Sequence, residues 1–446
     1  MRYNRNDIAK DDKNTERDVR MLNKLKLRWS NFIENVQAGD KKARKWLIIY
    51  CGIILFVILG VIAVVRMNLG YHNYRVLEVI DQNDDASINY QVIGNSLLRY
   101  SKDGASYTDG SGETIWDQTF EMSNAQIASC GEYMAIADIG SNQIRVFNHA
   151  GQISVIDATY PISNVDISEQ GVVAVILSAS DVNYINMYDT QGNRLVDIRV
   201  SISQTGYPMD FALSEDGTKL AVSYMVVNNG EISTRLVFYK FGNAVQSAQG
   251  NVSGSFDSDM VIPKIDFINN NTMVTFGDSG FKIYSMEDDT PAEVFSQTFD
   301  EEIRSVFYNE KYIGFVFRNT DSQQAETQDQ ETESGQTSES AADEIALQTS
   351  ETGDDSDTSL YTMRVYTSGG ALYLEQDFDF EYHEITCSAD EIIMYNDYDC
   401  LIMTYRGKEK FRYTFDRRIY NILPKEARNE YILIDESEIQ EIRLTY

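Results

Sequence analysis

The chain has 446 residues, 43% of them hydrophobic, and carries 38 Lys and Arg against 69 Asp and Glu. Residues 1–45 hold 13 basic and 7 acidic residues and Arg66 adds one more positive charge, so the net −31 leaves −38 on residues 67–446. A surface that acidic repels phosphate backbones, which makes nucleic acid a poor partner and favours basic ligands, cations or positively charged protein faces.

Residues 1–45 read as a basic cytoplasmic segment. Within it, 15–36 predicts a helix. Thr15 can cap it with Asp18 three positions on. Leu22, Leu25, Trp29, Phe32, Ile33 and Val36 then share one face, flanked by Arg20, Lys24 and Arg28. Such a helix fits the inner leaflet of a membrane or the surface of a partner. Residues 46–65 contain no charge. At 1.5 Å per residue they span about 30 Å, the thickness of a bilayer core. Lys41, Lys42, Arg44 and Lys45 precede the run and only Arg66 follows it, which places the N-terminus in the cytoplasm. The long basic lead and the lack of a small-residue cleavage site favour an uncleaved signal anchor over a removed signal peptide. The expected localisation is therefore the cell membrane, single-pass, with the lipid bilayer as partner of 46–65. A short linker, 66–73, leads to an extracytoplasmic domain at 74–446.

That domain is dominated by short strands rich in Val, Ile, Tyr and Phe, separated by Gly, Asn, Asp and Ser turns. A strand ending in an aromatic recurs, at Tyr107, Phe147, Tyr188, Tyr239, Tyr284, Tyr366, Tyr405 and Tyr446. Most intervals are near 40 residues, the length of a four-stranded propeller blade. The fold class expected is all-β: a single β-propeller, with eight blades favoured and seven if the terminal units are miscounted. Core packing between blades explains the repeated aromatics better than sugar binding does. The last unit lacks a fourth strand, and 74–80 is an alternating strand without a partner of its own. Their pairing would close the ring and remove an exposed edge.

Leu213-Ser-Glu-Asp-Gly217 with the strand after it resembles the blade motif of WD40-like and lactonase-like propellers. Gly112-Glu-Thr-Ile-Trp116 resembles the quinoprotein-type blade turn. The layout as a whole resembles uncharacterised single-pass bacterial envelope proteins with a propeller ectodomain. The resemblance implies a fold, without an activity or an identifiable cofactor site.

One interval is a whole blade too long, and its excess is 319–359. This stretch holds twelve Asp and Glu, no Lys or Arg, and almost no large apolar residue. It cannot bury enough area to offset the entropy of ordering, so a disordered acidic insertion in a hairpin is expected. Its alternatives are a tolerated solvated loop or a cation- or partner-binding tail.

Residues able to carry chemistry are few. His72, His149 and His383 are too scattered for a metal site, and no hydrolase elbow, Walker or dinucleotide motif is present. Asp288-Asp289 and Asp397-Tyr-Asp399 suit turns as well as they suit Ca²⁺. Cys51 lies in the apolar run, and Cys130, Cys387 and Cys400 have no metal-ligand spacing. No catalytic, metal or cofactor residue is assigned. The expected function is a membrane-anchored scaffold or sensor that binds a protein or cell-wall component on a propeller loop face. The alternative is an envelope hydrolase or lyase using carboxylates in the propeller channel. Carboxylates gathered in the channel would favour the enzyme, and an apolar or aromatic loop patch would favour binding.

Overall fold

The structure is a computed structural model that describes residues 70–81, 88–110, 112–241, 252–319, 359–425 and 427–446, together with Ile49, Gly52, Leu55 and Phe56. The basic segment 1–45 with its helix at 15–36, nearly all of 46–65, Cys51 and the insertion between 319 and 359 lie outside these. No helix among the described residues is long and apolar enough to cross a membrane. The chain divides into residues 1–70 and 71–446.

The second unit is an eight-bladed β-propeller. Thirty-two strands form eight four-stranded antiparallel sheets. Blades 1 to 7 take strands in sequence order from 89–119, 125–157, 162–201, 207–258, 264–298, 303–378 and 384–414. Blade 8 is composite. The C-terminus supplies Ile419–Pro424, Glu430–Asp435 and Glu438–Thr445, and Asn73–Asp81 adds the fourth strand. The expected ring closure is therefore present, with Tyr74 opposite Leu444 and Val79 opposite Gln440. The junction begins earlier than the sequence suggests. The Tyr71 amide donates to the Lys410 carbonyl at 2.7 Å, in a parallel bridge to blade 7.

Sheets stacked face to face explain the sequence pattern. Middle strands are covered on both faces and read as continuous apolar runs, such as Val173–Ser178. Outermost strands alternate, as in Arg194–Ser201, because one face meets solvent. The recurring aromatics fall on or just after the third strand of every blade. Seven are nearly fully buried, whereas Tyr446 is 60% exposed and lies against Tyr71 at 4.6 Å between ring centroids. In blades 1 to 7 the ladder between third and fourth strands shifts register at or near the aromatic. A bulge there increases the twist and re-aims the ring, which in blades 2 to 7 packs in the seam with the preceding blade. In blade 8 the irregularity lies instead on the N-terminal strand, between Val76 and Glu78.

Apolar clusters sit at each seam between blades. The richest, between blades 3 and 4, runs from Ala174 to Tyr239. The poorest among the described residues, between blades 8 and 1, has Leu97, Ile434 and Ile439 buried. The interval of 51 residues before Tyr239 reflects a longer blade 4, whose central strands Lys219–Asn228 and Glu231–Lys240 each have ten residues. The strands flanking the insertion, Tyr312–Arg318 and Tyr361–Thr367, pair directly, with Arg318 opposite Tyr361.

Candidate functional site

The first strands of successive blades line the centre of the ring. On blades 2 to 6 they are tied together by side chains that reach across the gap. Gln126 Nε2 donates to Asn164 Oδ1 at 2.7 Å, and Asn164 Nδ2 donates to Asp210 Oδ1 at 2.8 Å. Asp210 Oδ2 accepts the Ile265 amide at 2.9 Å and pairs with Lys264 at 3.3 Å. Asp166 Oδ2 accepts the Leu213 amide at 2.8 Å, and the Tyr308 hydroxyl donates to Asp266 Oδ2 at 2.7 Å.

Three carboxylates thus line the inner wall, one each on blades 3, 4 and 5. Burial pushes the Asp166 carboxyl up to about 7, against the two backbone amides it accepts, and neighbouring Asp266 pushes the same way. Burial also raises Asp266, opposed by Tyr308 and Lys264. Each of the three accepts a hydrogen bond from a neighbouring inner strand, so their evident work is to hold the ring's inner wall in register. The repeated pairs Asp166-Ile167, Asp210-Phe211 and Asp266-Phe267, about one blade apart, carry this pattern in the sequence. Aligning the blades on their inner strands would have found them.

The residues singled out from sequence do not come together. His72 and His383 are exposed on different blades; His383 Nδ1 lies 3.6 Å from Asp397. His149 packs its ring 5.7 Å from Tyr107. Asp289 pairs with Lys240 at 2.8 Å, Asp397 with Arg418 at 3.2 Å, and Asp399 accepts from Thr414. Among the described residues no group of three or more His, Cys, Asp or Glu is placed to hold a metal ion. Cys130, Cys387 and Cys400 are free thiols. Burial pushes Cys130 up to about 11 and Cys387 upward as well, which keeps both protonated and poorly nucleophilic.

A different feature stands out on the face that carries the second-to-third-strand hairpins. The blade 4 hairpin outgrows its neighbours: Val226 pairs with Ser233 and Val227 with Ile232, beyond the reach of the first strand, which ends its pairing at Met225. Asn229 and Gly230, with φ of 53° and 89°, make the tight turn that suits such a hairpin. At its tip Val227 and Ile232 are 59% and 52% exposed. Ile202, on the one-turn helix Ile202–Thr205, and Tyr207 are exposed on the same face. On blade 3, Tyr160 and Tyr184 stack in parallel at 5.1 Å. Exposed apolar groups gathered on a rigid protrusion are characteristic of interaction sites.

The architecture matches many solved propellers at low identity. BamB from Moraxella catarrhalis is 11% identical, with 83% of this chain and 100% of that chain covered and a TM-score of 0.47. Sqt1 from Chaetomium thermophilum is 10% identical over 84% of this chain and 100% of its own, with a TM-score of 0.50. Streptogramin B lyase is 11% identical over 84% and 98%, at 0.42. At such identities the likeness shows the fold alone. No curated protein matches the sequence. The model of a family of unknown function, DUF5711, matches residues 67–342 and 329–444, and the chain belongs to that family.

Proposed function

We propose that this protein is a single-pass, membrane-anchored extracytoplasmic scaffold or sensor of a bacterial cell envelope, which docks a protein partner on the loop face of blades 3 and 4. The observation that carries the reading is the projecting hairpin with Val227 and Ile232 at its tip, beside Ile202, Tyr207 and the Tyr160–Tyr184 stack. The charge of −38 on residues 67–446 favours a partner with a basic rim around an apolar pocket. The charge-free run 46–65 and its one-sided basic flank support the anchor and its orientation.

The test is cross-linked capture from intact membranes, comparing the wild type with Val227→Ser/Ile232→Ser. Both side chains are exposed, so the double variant should fold normally and lose the captured protein. An unchanged set of captured proteins would remove the docking face. Orientation has its own test. A cysteine introduced in 319–359 should react with an impermeant thiol reagent on intact cells, and one at Asn14 should not; the reverse pattern refutes the topology.

The enzyme reading draws on one observation, an Asp166 carboxyl whose affinity for protons suits acid–base chemistry near neutrality. It separates from the scaffold reading because Asp166→Asn would abolish a channel activity and leave partner capture intact.

A further inference from the structure

The sequence contains one Asn-Gly pair, Asn229-Gly230. It forms the turn between Lys219–Asn228 and Glu231–Lys240, at the tip of the blade 4 hairpin. Glycine after asparagine leaves the following backbone nitrogen unhindered and free to rotate. Such a nitrogen can attack the asparagine side chain.

Other turn asparagines are tied down. Asn148, Asn309 and Asn396 each accept the backbone amide two residues on, at 2.9, 2.9 and 3.0 Å. A bond of that kind holds the side chain against its own turn. Asn229 is exposed, and among the described residues its side chain has no partner. The Gly230 amide donates no backbone hydrogen bond there either, and no atom lies within 4 Å of where a Cβ on it would sit. Both reacting groups are therefore free. The turn also opens at low cost. The pairing of the first strand ends at Met225 and that of the fourth strand at Thr234. The pairs Val226–Ser233, Val227–Ile232 and Asn228–Glu231 beyond them have no further strand on either side. Opening such a tip leaves the rest of the blade intact. It also releases Asn229 from its left-handed φ of 53°.

We propose that Asn229 is a site of spontaneous deamidation, and that the carboxylate it becomes releases the docked partner. The Gly230 nitrogen bonds to Asn229 Cγ and gives up its proton. The Cγ–Nδ2 bond breaks, and Nδ2 leaves as ammonia with that proton. The product is a five-membered succinimide. Water then opens the ring at either carbonyl, giving aspartate or isoaspartate. No oxidant or reductant is needed. Either product sets a negative charge beside Val227 and Ile232, where entry into an apolar pocket would strip it of water. Isoaspartate also routes the main chain through the side-chain carbon, which lengthens the turn by one methylene and shifts the two apolar side chains against each other. The release rests on the docking reading above; the chemistry does not.

The experiment ages the purified full-length chain at mildly alkaline pH in water labelled with heavy oxygen, followed by peptide mass spectrometry. Asn229 should convert at least tenfold faster than Asn148 or Asn396, take up solvent oxygen and yield both aspartate and isoaspartate. Conversion no faster than at those two residues overturns the proposal, and aspartate without isoaspartate overturns the ring mechanism. Cross-linked capture from intact membranes then compares Asn229→Asp with Asn229→Gly, two residues that tolerate the left-handed turn. Asn229→Asp should capture the partner at least tenfold less well, and Asn229→Gly as well as the wild type. Full capture by Asn229→Asp, with capture lost in Val227→Ser/Ile232→Ser, overturns the release and leaves the docking face standing. Full capture by that double variant as well overturns the docking reading and the release together, and leaves the deamidation to its own readout.

Discussion

The seam between blades 3 and 4 and the seam between blades 8 and 1 belong to one ring, yet they are held by different means. The first buries fourteen apolar side chains in one cluster, among them Phe211, Leu220 and Tyr224. The second, among the described residues, buries three, with Tyr90, Val92, Leu423 and Ile432 partly buried against them. In place of apolar area it has an ion pair, Lys425 with Glu441 at 2.8 Å, and the Lys425 ammonium also reaches the Gly110 carbonyl of blade 1 at 3.4 Å. Behind that pair stands the ladder from Asn73 to Asp81, which ties the start of the propeller to its last strand. Every pair of neighbouring blades is joined by chain, including blades 8 and 1, since Asn73–Asp81 leads on to the first strand of blade 1. The two ends of the chain meet inside blade 8, where only the backbone pairing of Asn73–Asp81 with Glu438–Thr445 holds them, and the seam beside that joint is thin in apolar area. It follows that the ring should open first where its ends meet.

The largest effect should come from removing the closing strand. A soluble chain starting at Asp81 should melt roughly 10 °C or more below one starting at Asn68, since each net backbone hydrogen bond is worth about 1 kcal/mol. Deleting residues 441–446 should do comparable damage. Equal melting temperatures for the Asp81 and Asn68 chains would show that the pairing contributes nothing.

Core truncations should separate the seams. Leu220→Ala, at 0% exposure, should cost about 3–4 kcal/mol in denaturant unfolding, and Leu97→Ala about 2, because the thin seam can collapse around the gap. A larger loss at Leu97 would reverse the comparison. Lys425→Met leaves Glu441 without its cation and should cost about 2 kcal/mol. Adding Glu441→Leu should recover at least half of it, because two apolar groups replace a buried pair without an orphan charge.

The inner wall gives a smaller, pH-dependent effect. Asp166 titrates near 7 in the fold and near 3.8 in the open chain. Between these values the folded protein binds the extra proton, so this group's contribution to stability falls as pH rises from about 4 to about 7 and is level above that. Asp166→Asn cannot ionise. It should therefore gain on the wild type by on the order of 1 kcal/mol between pH 5 and pH 7.5 in parallel urea titrations. A gap that is constant or shrinks with pH would contradict the burial of this carboxyl. The smallest effect is expected for the acidic insertion. Replacing 321–356 by a short Gly-Ser turn should change stability by less than about 1 kcal/mol, since loop closure depends weakly on length.

The ring was legible in the sequence because each blade repeats one conspicuous event, an aromatic at the end of its third strand. Even the closure could be read, since the unit ending at Tyr446 lacked a fourth strand and 74–80 lacked a partner. Other features were hidden for physical reasons. Tyr446 matches the repeat but stays exposed, because the fourth strand of its blade comes from elsewhere and bulges at a different place. The inner-wall aspartates are one residue per blade on different strands, so only the closed ring brings them together. Val227 and Ile232 read as ordinary strand residues; their exposure follows from a hairpin that outruns its blade.

Native-state hydrogen exchange on the intact chain tests the difference between the seams most directly. The account predicts that amides of Asn73–Asp81 and Ile419–Pro424 exchange through a partial opening of lower free energy than amides of Val173–Ser178 and Lys219–Asn228. Exchange of all four strands at one common free energy, or earlier opening of the strands at blades 3 and 4, would contradict it.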